Sequence, residues 1–333
     1  MSITERFEVE LWEPRPLSSS AALRPCTDEA LLSWLHRYAM PFGISASLLL
    51  FNRADVELLN PIDWWRRPHP QLLTRLAART GVVGSALAAM TFQDWIPQPC
   101  NEQMSPRLSC GRRFQRSRFL YAKRQWFAIC PQCSAGDALP YVRKTWTVGW
   151  TSVCQTHALV LLRQCPKCRQ AMHFPRFNAD ERFAPQRCRA CGCVLSNARQ
   201  RPAHPIAVRL QALLFAHSAS PTVPLPLIGA LHWPTAMALF DRLLAFTWGA
   251  RARPRLKCLF AHIRSEIELA DDLRKGHYEG LLILAWLLDQ WPQHVRFAMD
   301  CLQAKPYLQR PDRWRQRVIS PITRAIDQIL LSV

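Results

Sequence analysis

Apolar residues fall at helical spacing in two stretches of the chain, residues 1–100 and 201–333, and lose that period in between. In the first stretch Leu31, Leu35 and Tyr38, with Trp34 beside them, form a stripe that Pro41 ends. Thr27 stands where an N-cap belongs, with Asp28 and Glu29 in the first turn. Further helices are expected over residues 45–51, 70–79 and 84–90, the last two joined by Thr80-Gly81-Val82. In the last stretch Pro205 opens a helix that runs to about residue 217, and a connector with Pro221, Pro224 and Pro226 follows. Helices are then expected over 235–247, 255–270, 277–290, 292–303 and 311–331. Residues 281–288, with Trp286 among them, are apolar on all sides, which marks a helix inside a core.

The pair around Gly81, LTRLAARTGVVGSALAAM, has the form of a helix-turn-helix: Ala77 sits four before the turn glycine and Leu87 six after it. A DNA-reading second helix needs side chains that reach base edges. This one offers Gly84, Ser85, Ala86, Leu87, Ala88 and Ala89, so a packing or protein-contact pair is the better reading.

The chain has 333 residues, 49% of them hydrophobic, enough for a sizeable core and against disorder as its main state. Its first residues are polar and charged, without the apolar segment of a secretory signal. The longest apolar run, residues 280–288, is far short of the roughly 20 residues of a membrane span. The expectation is a soluble bacterial cytoplasmic protein with reduced thiols, in which clustered cysteines mean metal.

Thirteen cysteines are present. Cys130, Cys133, Cys154 and His157 are followed by Cys165, Cys168, Cys188 and Cys191, giving C-x2-C-x20-C-x2-H and then C-x2-C-x19-C-x2-C. Ligands two residues apart can hold one ion because a tight turn carries both to one side, and two such pairs complete a tetrahedron. Two structural Zn2+ per chain are expected. With four protein ligands each, neither site has a position for substrate, so catalytic zinc is disfavoured. Cys193 is an alternative to Cys191 as last ligand. Cys26, Cys100, Cys110, Cys258 and Cys301 are scattered and read as small buried hydrophobes, and His173, His204 and His232 lack partners at ligand spacing. No GK[ST], HExxH or GxSxG motif occurs.

Charge changes the picture of the middle region. The chain carries a formal +19, and residues 103–179 hold 13 bases against one acid, Asp137. Phe114, Phe119, Tyr121, Trp126 and Trp146 are interleaved, a mixture suited to a nucleic-acid backbone with stacking. Arg112, Arg113, Arg116, Arg118, Lys123 and Arg124 are the candidate nucleic-acid contacts. The whole is expected to be mainly α: an N-terminal helical, helix-turn-helix-like domain (1–100), a basic tandem zinc-finger or zinc-ribbon module (101–200) and a C-terminal helical domain (201–333).

DEALLSWLHRYA (residues 28–39), LTRLAARTG, and the module running from AICPQC through TWTVGW to VCQTHALVLLRQCPKC and CRACG resemble the TniQ/TnsD family of bacterial transposition proteins. The resemblance covers about residues 20–200. It implies sequential metal sites, the pairing the spacing also suggests. It further implies a non-enzymatic adaptor that links a target-recognition assembly to an AAA+ ATPase of the TnsC/TniB type. In CRISPR-associated transposons that assembly is the guide-RNA Cascade complex, bound by an adaptor homodimer. In TnsD-type members the protein reads attachment-site DNA itself, with a longer C-terminal portion. A RING ubiquitin-ligase module has the same ligand order but only two or three residues between its fourth and fifth ligands, where seven separate His157 from Cys165. A transposase would need a carboxylate triad. Asp271, Asp272, Glu279 and Asp289 show no such placement and read as solvated helix faces.

Overall fold

A computed structural model describes residues 24–49, 66, 68–95, 126–175, 183–248, 256–269 and 276–302. It divides into two compact units, residues 1–92 with 175–183 and residues 93–174 with 184–333. The described residues are mainly helical.

In the first unit, helix α1 (Leu31–Ala39) is buried along its whole length. Leu31, Trp34, Leu35 and Tyr38 pack against Ala46, Leu49, Leu72, Leu76, Leu87 and Met90. Thr27 does not cap it: the helix starts at Leu31 with Ala30 extended in the cap position. The acids that were expected in its first turn lie before it, and Asp28 has φ +57°. Glu29, fully buried, accepts from Ser33 Oγ (3.1 Å), Arg37 Nε (3.1 Å) and Arg37 Nη2 (2.7 Å). Burial of α1 on every side would strand the Arg37 charge without this carboxylate, so Glu29 pairs rather than decorates a helix end. Pro41 ends the helix in a 3-10 turn, and Ala46–Leu49 is a second such turn where a longer helix was expected.

Helices α2 (Pro70–Thr80) and α3 (Gly84–Ala89) form the expected pair. Gly81, at φ +69°, donates its N–H to Ala77 O, which only a residue tolerant of the left-handed region does without strain. Leu87 is buried against α2, while Gly84, Ser85 and Ala89 are exposed.

The second unit holds α4 (Pro131–Gly136), α5 (Pro205–Ala216), an antiparallel hairpin β1 (Thr222–Leu225) and β2 (Gly229–His232), then α6 (Trp233–Trp248), α7 (Leu256–Glu266), α8 (His277–Asp289) and α9 (Gln293–Leu302). The proline-rich connector is therefore partly sheet. A two-stranded hairpin is all edge, so Pro224, opposite Ala230, costs no ladder in a larger sheet. Helix α7 stops at Glu266, short of the expected 270. Helix α8 is buried from Tyr278 to Leu288, as its unbroken apolar run requires. The core around it includes Trp150 and Val153 from the cysteine-rich region, so the boundary drawn at residue 200 falls inside this unit. The expected helix at 311–331 lies outside the described residues.

Candidate metal centres

Three of the four ligand pairs are built as the same hairpin knuckle. In each, the residue before the first ligand bridges the residue six after that ligand: Val153 with Val160, Gln164 with Ala171, Arg187 with Val194. The first ligand donates its N–H to the carbonyl five residues on: Cys154 to Leu159, Cys165 to Gln170, Cys188 to Cys193. The residue four after the ligand takes positive φ: Ala158 (48°), Arg169 (63°) and Gly192 (69°). That turn sets ligands i and i+3 on one side of a tight loop. The fourth pair differs. Cys130 precedes α4, Pro131 supplies a preset first residue without an orphan N–H, and Cys133 stands one turn in.

These turns gather the predicted ligands into two groups, Cys130 with Cys133, Cys154 and His157, and Cys165 with Cys168, Cys188 and Cys191. Within each group all ligand atoms lie within 4.8 Å of one another. His157 Nδ1 is 3.5 Å from Cys130 Sγ, 3.2 Å from Cys133 Sγ and 3.6 Å from Cys154 Sγ. Cys133–Cys154, Cys165–Cys191 and Cys168–Cys188 sulfur separations are each 3.6 Å. Zinc with bonds of about 2.3 Å to sulfur and 2.0–2.1 Å to nitrogen puts tetrahedral ligands about 3.8 Å (S–S) and 3.5 Å (S–N) apart. The donor sets fit a tetrahedral dication. Cys193 sits at the fifth position of its knuckle, where its carbonyl closes the turn, and Cys191 at the third, equivalent to His157 and Cys168.

Crowding shows in the electrostatics. The Cys133 thiol, bonded to Cys130 and Cys154, is pushed far above the ordinary thiol range, and that of Cys154, bonded to the same two thiols, far below it. At the second group burial raises the Cys165 thiol, but the backbone N–H groups of Cys168 and Lys167 prevail and bring it down to about 6. Were all of these thiols ionised together, three or four negative charges at such separations would need a cation among them.

The first centre is fastened to the C-terminal helices by residues that carried no motif. Buried Gln211 on α5 accepts from the N–H groups of Ser152 (2.7 Å) and Val153 (2.9 Å) and donates to Val153 O (2.6 Å). Beyond the knuckle, Val160 N–H bonds Arg201 O and Ala203 N–H bonds Ala158 O. Arg201 in turn pairs with Glu279 of α8 at 2.8 Å. Arg163 donates to the carbonyls of Val148 and Gly149, and His277 Nδ1 lies 3.2 Å from the latter. Such partners are hidden in sequence because a lone Gln or Arg has no spacing to betray it.

Several expectations change. Glu279 is buried and paired, not solvated, while Asp289 is half-exposed opposite Arg209 at 3.7 Å. Asp271 and Asp272 lie outside the described residues. Trp146 is buried beneath the Arg143 guanidinium, 4.6 Å from its ring centre, so it has no free face for a base. Cys258 is exposed, and Cys26 and Cys301 are half-buried. His204 has a structural use: its Nδ1 accepts from Ile206 N–H at the start of α5. The candidate contacts Arg112, Arg113, Arg116, Arg118, Lys123 and Arg124, with Cys100 and Cys110, lie outside the described residues.

No helix among the described residues is long and apolar enough to cross a membrane. The family model TniQ matches residues 21–161, a span that contains all four ligands of the first centre and ends before the second. No curated protein matches the chain.

Proposed function

We propose, from the match of the TniQ family model over residues 21–161, that this is a TniQ/TnsD-type chain and a non-enzymatic adaptor for target-site selection in DNA transposition. In this reading two Zn2+ hold the knuckles, one on Cys130, Cys133, Cys154 and His157 and one on Cys165, Cys168, Cys188 and Cys191. The chain joins a target-recognition assembly, the guide-RNA Cascade complex, to an AAA+ ATPase of the TnsC/TniB type, and acts as a homodimer. The observation that carries the reading is the family match enclosing the first metal centre whole. Saturated ligand sets support binding over chemistry, since four protein donors leave no site for a reacting water. Expressed with the neighbouring genes of its own locus and treated with nuclease, the tagged protein should recover the ATPase and a guide-RNA complex with about two zinc per chain. Zinc-loaded protein recovered alone, yet shifting one specific duplex, would replace the adaptor with a direct reader of attachment-site DNA.

A further inference from the structure

The second metal centre is ringed by bases. Lys167 lies between Cys165 and Cys168, Arg169 follows Cys168, and Arg187 and Arg189 flank Cys188; all four are exposed. Arg187 reaches Gly192 O (3.4 Å), and Arg189 reaches His173 Nδ1 (2.9 Å), so these two guanidiniums are held on the knuckle surface. The sulfurs of Cys165 and Cys168 on one knuckle and of Cys188 and Cys191 on the other lie within 4.8 Å of one another, which places both halves of the ring around one centre. Among the described residues no Asp or Glu occurs between Asp137 and Asp241; the stretch's own acids, Asp180 and Glu181, lie outside them. Four thiolates on a dication amount to a charge of −2, so the four bases leave a net positive surface even after neutralising the loaded centre.

The surroundings narrow the partner. Among the described residues between Cys165 and Leu195, Phe174 and Phe183 are buried and the exposed ring is the His173 imidazole held by Arg189, so no Phe, Tyr or Trp face is offered there for stacking on single-stranded bases. Exposed neighbours among the described residues include Gln164, Pro166, Gln170, His173, Ala190 and Gly192, without the large apolar anchor that a protein interface centres on. What remains is charge presented by a rigid turn, which suits phosphates and carries no sequence information.

We infer that the rim of Lys167, Arg169, Arg187 and Arg189 around the second knuckle pair is a contact surface for the backbone of duplex DNA, clamping target DNA without reading it. The choice of DNA over RNA duplex rests on the transposition reading above; the basic surface itself does not.

The test is an anisotropy titration of the full-length, metal-loaded protein on a fluorescent duplex across a salt series. Lys167→Gln combined with Arg169→Gly removes two charges, and glycine is at ease at the positive φ of residue 169. The slope of log K against log salt should become shallower by about 1.8, from about 0.9 per lost phosphate contact. Lys167→Gln alone should give half of that. Zinc content equal to the parent protein's shows that the knuckle has folded. An unchanged slope at full zinc content overturns the inference, as does displacement of the duplex by RNA duplex or polyglutamate at lower concentration than by unlabelled DNA. Because the slope is measured without ATPase or Cascade, its failure leaves the adaptor reading standing, and failure of the pull-down leaves the rim standing.

Discussion

At the scale of single residues, this protein spends charges and left-handed turns where its sequence looks ordinary. His277 is the clearest titrating group. Burial, with Arg163 nearby, lowers its pKa to about 4 against the pull of Gly149 O, so it is neutral in the folded chain. Unfolded, it takes up a proton below about 6.5. Its contribution is therefore whole above that pH and is lost as pH falls from about 6.5 to 4, by up to about 3 kcal/mol before solvent exposure trims the figure. Urea denaturation at pH 7 and 5 should show a smaller pH difference for His277→Gln than for the parent. Equal differences would assign the acid sensitivity elsewhere. Arg169 tells a similar story of local cost: a β-carbon at φ +63° is strained where Gly192 is not. Arg169→Gly should raise the stability of the second centre by about 0.5–1 kcal/mol, read as slower zinc release to a chelator.

At the scale of elements, the repeated knuckle explains why loops with few apolar residues are ordered at all. A bridge, a carbonyl acceptor five residues on and a positive φ define each turn, and in the zinc-bound reading proposed above a metal ion would join the knuckles in pairs. Helix α5 supplies the remaining support through Gln211. Its truncation strands the buried N–H groups of Ser152 and Val153 and the carbonyl of Val153. Gln211→Ala should cost about 3 kcal/mol and loosen the first centre before the second, since each stranded buried group costs about 1–3 kcal/mol. Metal release followed in the two single-centre variants, Cys130→Ser and Cys165→Ser, would show it; equal loosening of both centres would deny Gln211 this role.

At the scale of the whole molecule, the two centres have different attachments. The first shares its core with the C-terminal helices through Trp150 and Val153, while no described residue between Cys165 and Leu195 belongs to that core cluster. Chelation should then proceed in two steps. The second centre empties first with helical circular dichroism retained, and loss of the first takes the helices of this unit with it. A single step in which helicity falls with the first equivalent of zinc would refute the ordering. Acidification should release metal in the same order, since the thiolates and His157 must be deprotonated to bind.

Much of this was legible in the sequence for a physical reason: helical periodicity, glycine in a left-handed turn and ligand spacing are local, so the pattern along the chain already contains the geometry. Helices α2, α3, α5 and α8 and both Cys/His clusters were legible in this way, and the knuckle sets Cys191 rather than Cys193 at the third position, in the cluster. The pairing of Glu29 with Arg37, the burial of Glu279 against Arg201, the clamp of Gln211 and the loss of Trp146 to Arg143 were not legible. Each depends on which segments meet, and a buried polar group chooses its partner by proximity rather than by spacing. Sequence by itself determined the turns and which cysteines and histidine cluster, because both follow from local spacing; tertiary structure decided which charges pair inside the fold and which, around the second knuckle pair, stay exposed, because that depends on which segments meet.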